Sequence, residues 1–286
     1  MRRGARSALA LAVSALLIGG GIWGVQRYIH DSQALVVVQC ATTVGSVKHT
    51  LDPEQAGNAA TISAVAVGRE LPSRATSIAL ATAYQESKLR NLDYGDTAGP
   101  DSRGLFQQRP SQGWGTQAQV MDPVYAAGAF FDELVTFDYR SMSVTQAAQK
   151  VQRSAFPEAY ADHEDLGRAF ASALTGQSAS ALTCSLRRTT DAGSAAAVAK
   201  RIDAEYGDST FAPKVQGDIV STHVADTAHG WALAQWAVAH AQEDSTVSVS
   251  YGGLTWTREK GAWERGEGHD GAGTVAIQLA SAAGQG

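Results

Sequence analysis

Two hydrophobic periodicities divide the chain. Up to Leu174 apolar residues recur mostly at helical spacing, and from Val247 onward they alternate in steps of two. Asp52 stands where an N-cap belongs, with Pro53 at the first helical position. Ile62, Val65 and Ala66 carry that helix on to Arg69-Glu70, and Pro72 stops it. Ser73 is placed to cap a second helix, in which Ile78, Ala79, Ala83 and Glu86 share one broad face. Residues 91 to 104 are polar and rich in turn formers (Asp93, Gly95, Asp96, Gly99-Pro100, Asp101), which predicts a loop or hairpin. Asp122-Pro123 opens another helix through Phe130, Phe131 and Leu134. Residues 144 to 151 and 157 to 174 predict two or three more, ended by Gly176. Thr189 to Gly193 reads as a linker, followed by helices over Ser194 to Tyr206 and His229 to Gln242. Val247, Val249 and Tyr251 then alternate with serines, Gly252-Gly253 turns the chain, and Leu254 to Thr257 returns. Gly273 to Ala280 supplies a third strand. The expected fold is a mainly α domain over residues 55–186, a linker over 187–193, and a small α+β domain over 194–286.

The N-terminus sets the compartment. Arg2, Arg3 and Arg6 precede an uncharged run from Ala8 to Val25, and Gln26-Arg27-Tyr28 closes it. A helix of that length spans about 27 Å, close to a hydrocarbon core. The basic leader and apolar run predict a transmembrane or signal segment over residues 1–30, with the N-terminus inside. The bulky and charged residues after it favour an uncleaved anchor over a cleaved signal. Residues 31–54 read as a stalk with a short strand from Ala34 to Val38. The chain is then extracytoplasmic, held at the cell membrane by one span, or secreted if the segment is cleaved. Two cysteines, Cys40 and Cys184, read outside the membrane as one disulfide. A lipidated Cys40 and a two-cysteine metal site are the rivals. The first lacks a small residue in Val37-Val38-Gln39, and the second lacks any zinc spacing.

A net charge of −5, from 23 basic and 28 acidic residues among 286, argues against nucleic acid as a partner. No cofactor is called for, and the three aspartates of the 91–104 stretch do not match a calcium loop. The chemistry rests on Glu86. A carboxyl on the apolar face of a helix end acquires a raised pKa once buried, which is what a general acid needs near neutrality. Glu86-Ser87 is followed by Gly104-Leu105-Phe106-Gln107, with Pro110 beyond.

This pair of segments resembles the lysozyme-like domain of lytic transglycosylases, in which a helix-ending Glu-Ser precedes a Gly-Leu-Met-Gln-type strand. The resemblance covers residues 55 to 175. Gln152-Arg153-Ser154-Ala155-Phe156-Pro157 with Tyr160 is similar to the variant of actinobacterial and phage-type members. The more usual Ala-Tyr-Asn-Ala-Gly segment and the Asn-Pro after Glu-Ser are absent. The resemblance implies cleavage of the β-1,4 bond between N-acetylmuramic acid and N-acetylglucosamine in peptidoglycan glycan strands. Glu86 would be the general acid and base, and a 1,6-anhydro ring would form. It places Ser87, Phe106, Gln107 and Tyr160 around the substrate. Asp93, Asp96 or Asp101 could supply a second carboxylate, so a hydrolytic muramidase stays open beside a catalytically inactive wall-binding scaffold.

The C-terminal part is similar to an actinobacterial secreted module whose catalytic relatives resemble zinc D-Ala-D-Ala peptidases. Ser221-Thr222-His223 echoes their Ser-x-His, but Thr274-Val275-Ala276 stands where a His-x-His pair would be. That part is therefore expected to be metal-free, with His223, His229, His240 and His269 on the solvated surface.

Overall fold

In the computed structural model, residues 20–21, 23–24, 35–97, 99–153, 157–208, 210–266 and 273–281 are described. The predicted signal or anchor segment lies outside them apart from Gly20, Gly21, Trp23 and Gly24. Among the described residues no helix is long and apolar enough to cross a membrane.

Asp52 accepts a hydrogen bond from the Gln55 backbone while the Gln55 side chain caps Asp52 in return, and this capping box starts α1 (Pro53–Gly68). Helix α2 (Ser73–Ser87) follows. Its N-cap is Pro72, with no side-chain cap, because Ser73 is already helical and its expected capping role passes to no other group. Then come α3 (Gln117–Val120), α4 (Pro123–Leu134), α5 (Val144–Gln152) and α6 (Glu164–Leu174). Asp122 caps α4 through the backbone N–H groups of Val124 and Tyr125. A 3-10 segment, Pro157–His163, leads into α6. Helices α2 and α6 pack against each other and, with α1, form the centre of this half. Phe130, Phe131 and Phe170 are fully buried there, as core.

The expectation of a mainly α architecture does not hold. The described residues form an α+β fold with two antiparallel sheets and nine strands. The stretch predicted as a stalk carries a hairpin, β1 (Gln39–Val44) and β2 (Val47–Leu51), and β3 (Thr183–Ser185) pairs on the other side of β1. Cys40 lies opposite Cys184 in that pairing, and the two form a disulfide. The predicted strand from Ala34 to Val38 is not there: Ala34 is outside the described residues, and pairing begins only at Gln39.

The second sheet has six strands where three were expected. Beyond helix α7 (Ala195–Tyr206) come β4 (Lys214–Gln216), β5 (Ile219–His223), helix α8 (Thr227–Ala239), β6 (Thr246–Tyr251), β7 (Leu254–Thr257), β8 (Ala262–Arg265) and β9 (Thr274–Leu279). Their spatial order is β4-β5-β9-β6-β7-β8. Strand β9 alternates cleanly, burying Val275, Ile277 and Leu279. Of the three unforeseen strands, β5 alternates over five residues only, while β4, exposed throughout, and β8, with no fully buried residue, are short strands at the two edges that no clean alternation marks.

Helix α8 is buried on every side from Gly230 to Ala239. One flank lies on β6 and β9 and the other on α1 and α6, so it belongs to the core of both halves. Residues Val38–Gly286 form one compact unit around it. Gly68 of α1 meets the end of α7 so closely that a Cβ would sit 2.0 Å from the Tyr206 carbonyl oxygen. The Arg258 guanidinium, 5% exposed, donates to the carbonyls of Ala241 (2.7 Å) and Thr246 (3.1 Å) and fixes the turn into β6.

A buried polar knot joins α1, α7 and α8. The Glu205 carboxylate accepts from Thr61 Oγ1 (3.0 Å) and Trp236 Nε1 (2.6 Å). His240 Nε2 lies 3.8 Å from it and is itself buried, not solvated as expected. Burial raises Glu205 to about 7 and Asp244 to about 6, and lowers His240 to about 4. The neutral carboxyls favour the folded state fully below their unfolded pKa values, and that contribution is lost as pH rises through about 6 and 7. His240 acts in the opposite sense: its contribution is present above its unfolded pKa and lost as pH falls through about 4. Chemical denaturation should therefore show Glu205→Gln gaining on the native protein by about 1–2 kcal/mol between about pH 5.5 and pH 8. A difference that stays constant over that range would mean Glu205 ionises freely when folded.

Candidate active site

Glu86 occupies the last turn of α2, and the chain leaves the helix through two consecutive left-handed residues, Lys88 and Leu89. Neither is glycine, so the turn is strained. Two side chains of α1 hold it. Gln55 donates to the Lys88 carbonyl and Asn58 to the Leu89 carbonyl, each at 2.8 Å. The carboxyl of Glu86 is thus fixed by its own helix and by the helix behind it.

The facing wall is the Gly104–Gln107 segment. It is a tight turn rather than the strand the resemblance implied, closed by reciprocal backbone bonds of 3.0 Å between Arg103 and Gln108. Gly104 has φ +77°, and a Cβ there would lie 2.1 Å from the Val120 carbonyl oxygen, so no other residue fits. Gln107 is also left-handed, at φ +48°, and lines the cleft.

Ser87 does not line the cleft. Its hydroxyl is buried and donates to the carbonyls of Ala83 (3.0 Å) and Leu105 (2.7 Å), tying the helix end to the facing turn. Phe106 is fully buried, its ring stacked 4.7 Å from that of Phe130. Both belong to the frame behind the site. Tyr160 is buried too, but its hydroxyl reaches the site and donates to Glu86 Oε1 at 2.7 Å. The structure therefore brings Glu86, Gln107 and Tyr160 together and leaves Ser87 and Phe106 in support.

One further side chain completes the group. Gln152, the last residue of α5, hydrogen-bonds the Glu86 carboxyl and donates to the Phe106 carbonyl at 2.8 Å. It lay within the motif that carried the resemblance, yet nothing in its residue type separated it from its neighbours. Tyr94 is 62% exposed at the rim, an aromatic surface that sequence reading passed over because the whole stretch looked like a loop.

The cleft holds about 400 Å³ and is lined by Glu86, Leu92, Tyr94, Asp96, Ser102 and Gln107 among others. Of the three loop aspartates only Asp96 faces it. Asp101 is committed to Arg109 Nε (2.9 Å) and the Ser111 backbone N–H (3.0 Å), and hydrogen bonding from Ser111 holds its carboxyl well below the usual range. Asp93 is exposed and does not line the cleft. Burial raises the Glu86 pKa; the hydrogen bonds from Tyr160 and Gln152 oppose that, and the Asp96 charge adds to it. The result is a carboxyl that holds its proton to higher pH than a free glutamate while two donors stand ready to stabilise its anion.

Removing one donor should move that balance. In Tyr160→Phe the ring still packs but the hydroxyl is gone, so the Glu86 titration midpoint should shift upward by roughly 1 pH unit. Carboxyl-carbon NMR on selectively labelled protein reads this directly, and an unchanged midpoint would mean the 2.7 Å contact does not form in solution.

Among the described residues no group of three or more His, Cys, Asp or Glu side chains is arranged to hold a metal ion. His223 sits on β5 opposite Thr274 of β9, and His269 lies outside the described residues. No protein-family model matches this chain, and no curated protein matches it in sequence.

Proposed function

We propose that the chain is an extracytoplasmic enzyme that cleaves the β-1,4 bond between N-acetylmuramic acid and N-acetylglucosamine in peptidoglycan, with Glu86 as its general acid and base. The observation that carries this reading is the state of Glu86. It is a half-buried carboxyl with a raised pKa, held by two hydrogen-bond donors at the edge of an open cleft. A disulfide between Cys40 and Cys184 agrees with a compartment outside the cytoplasm.

The proposed steps balance without water. Glu86 gives its proton to the glycosidic oxygen as the bond from that oxygen to C1 of the muramic ring breaks. Tyr160 and Gln152 stabilise the carboxylate that remains. That carboxylate takes the proton of the muramic 6-hydroxyl while its oxygen bonds to C1, closing a 1,6-anhydro ring and restoring the acid. Gln107, across the cleft, is placed to hold an N-acetyl or hydroxyl group, and Tyr94 offers a face to a sugar ring.

Asp96 supports a second reading. It is a carboxylate facing Glu86 across the same cleft, as a hydrolase that activates water requires. Incubation with purified peptidoglycan tests the shared part of both readings. Soluble glycan fragments should appear with the native chain, and their absence under conditions where the protein is folded would sink both.

A further inference from the structure

A second cavity, of about 460 Å³, lies away from the Glu86 cleft, bounded by α1, α7, α8 and the first turn of α4. Pro53, Pro123, Val124 and Ala239 give it an apolar wall, and charged and polar side chains share the lining, among them Glu54, Arg201, Glu205, His240 and Glu243. The Arg201 charge acts on Glu205 from beyond ion-pair distance. The cavity is open to solvent, and a carboxyl as buried as that of Glu205, 7% exposed, stands in its lining.

Gly57 indicates that the space is kept open. It stands inside α1, where glycine is less favourable than alanine. Its φ is not positive, and a Cβ there would meet the His240 ring at 3.6 and 3.7 Å, ordinary contact distances. Sterics do not demand a glycine at this wall, whereas any longer side chain would enter the cavity.

The charges around it are unbalanced. On α7, Arg201 is committed to Glu243 at 2.6 Å through both terminal nitrogens and lies 3.3 Å from Asp244. On α1, Glu54 pairs with Arg90. The first turn of α4 contributes Pro123 and Val124, without charge. Among the described residues the only basic group within ion-pair distance of Glu205 is His240, which burial keeps neutral. Thr61 and Trp236 each occupy one oxygen of Glu205, and each oxygen can accept again.

We infer that this cavity is a binding site for a small organic cation, a protonated amine on a compact apolar body, whose ammonium group pairs with Glu205. The inference is independent of the Glu86 reading. Below about pH 7 Glu205 must release a proton to accept the cation, so binding there should expel protons into the buffer.

Cyclohexylammonium is the probe, with cyclohexanol and cyclohexanecarboxylate as partners of the same body and different charge. Each is titrated into the full-length chain by calorimetry, with the Trp236 indole N–H resonance followed by NMR. The amine should bind with a Kd of about 1 mM, the alcohol and carboxylate at least about tenfold more weakly. Glu205→Gln should erase the preference, and Gly57→Leu, which fills the cavity, should remove amine binding while the protein still unfolds cooperatively. The site does not exist as described if the native chain binds the alcohol or the carboxylate as well as the amine. Neither does it exist if the native chain gives no heat and no Trp236 shift with the amine, or if folded Gly57→Leu binds the amine like the native chain.

Discussion

Glu86→Gln is expected to lower the rate of glycan release by about 10³-fold while leaving the protein folded. The amide matches the carboxyl in shape and can still accept from the Tyr160 hydroxyl, so the frame of Ser87, Gln152 and the facing turn is undisturbed. What is lost is the transferable proton. Because burial raises the Glu86 pKa, the native carboxylate is a burden on stability near neutral pH. The amide relieves it, and Glu86→Gln should unfold at a denaturant concentration equal to or above that of the native chain. A variant that is inactive and no less stable separates chemistry from folding. Residual activity within about threefold of native would remove Glu86 from the acid's role.

The second large effect concerns the disulfide. Cys40 and Cys184 are fully buried, face each other in adjacent strands and are 144 residues apart in sequence. Without the link, the unfolded chain gains the freedom of a very long loop, worth up to about 5 kcal/mol in the chain-entropy model. Replacing both by alanine should therefore lower Tm by roughly 10 °C for a unit of this size. Calorimetry under identical buffer conditions reads the shift. A change of less than about 2 °C would mean that the three-stranded sheet and helices α1 and α6 already restrict the reduced chain.

How much of this was legible in the sequence follows from where each signal came from. Helices α1 and α4 were readable because Asp52-Pro53 and Asp122-Pro123 stand in front of periodic apolar runs. Helices α5 and α7 also carry side-chain caps, Ser143 and Ser194, which entered no expectation. Strands β6, β7 and β9 were readable because each has a buried face. Strands β1 and β2 fell in a stretch read as a stalk, β3, β4 and β8 are three or four residues long without a clean alternation, and β5 alternates over five residues only; their absence from the prediction produced the error in fold class. Helix α8 was expected as a helix, over His229 to Gln242, and is one over Thr227–Ala239, but its shared burial was not foreseen. It is apolar on all sides, which announces a fully buried helix, and its burial by both halves makes them share a core.

At the site, Glu86 could be picked out from its position at a helix end, and Gln107 and Tyr160 from the motif. Residue type could not say that the Ser87 hydroxyl would be spent on two carbonyls, or that Phe106 would stack under Phe130. Nor could it say that Asp96, and not Asp93 or Asp101, would face the acid. Asp101 is drawn away by Arg109 and Ser111, partners that lie beyond the facing turn. The Glu205 knot was invisible because Thr61, Glu205 and Trp236 meet only through the packing of three helices.

The deciding measurement is the mass of the fragments released from purified peptidoglycan by the native chain and by Glu86→Gln. Fragments ending in 1,6-anhydromuramic acid, from the native chain alone, are the expected result. Hydrated reducing ends would contradict ring closure by Glu86 and turn attention to Asp96, and equal release by both proteins would show that the cleft around Glu86 is not where the bond is broken.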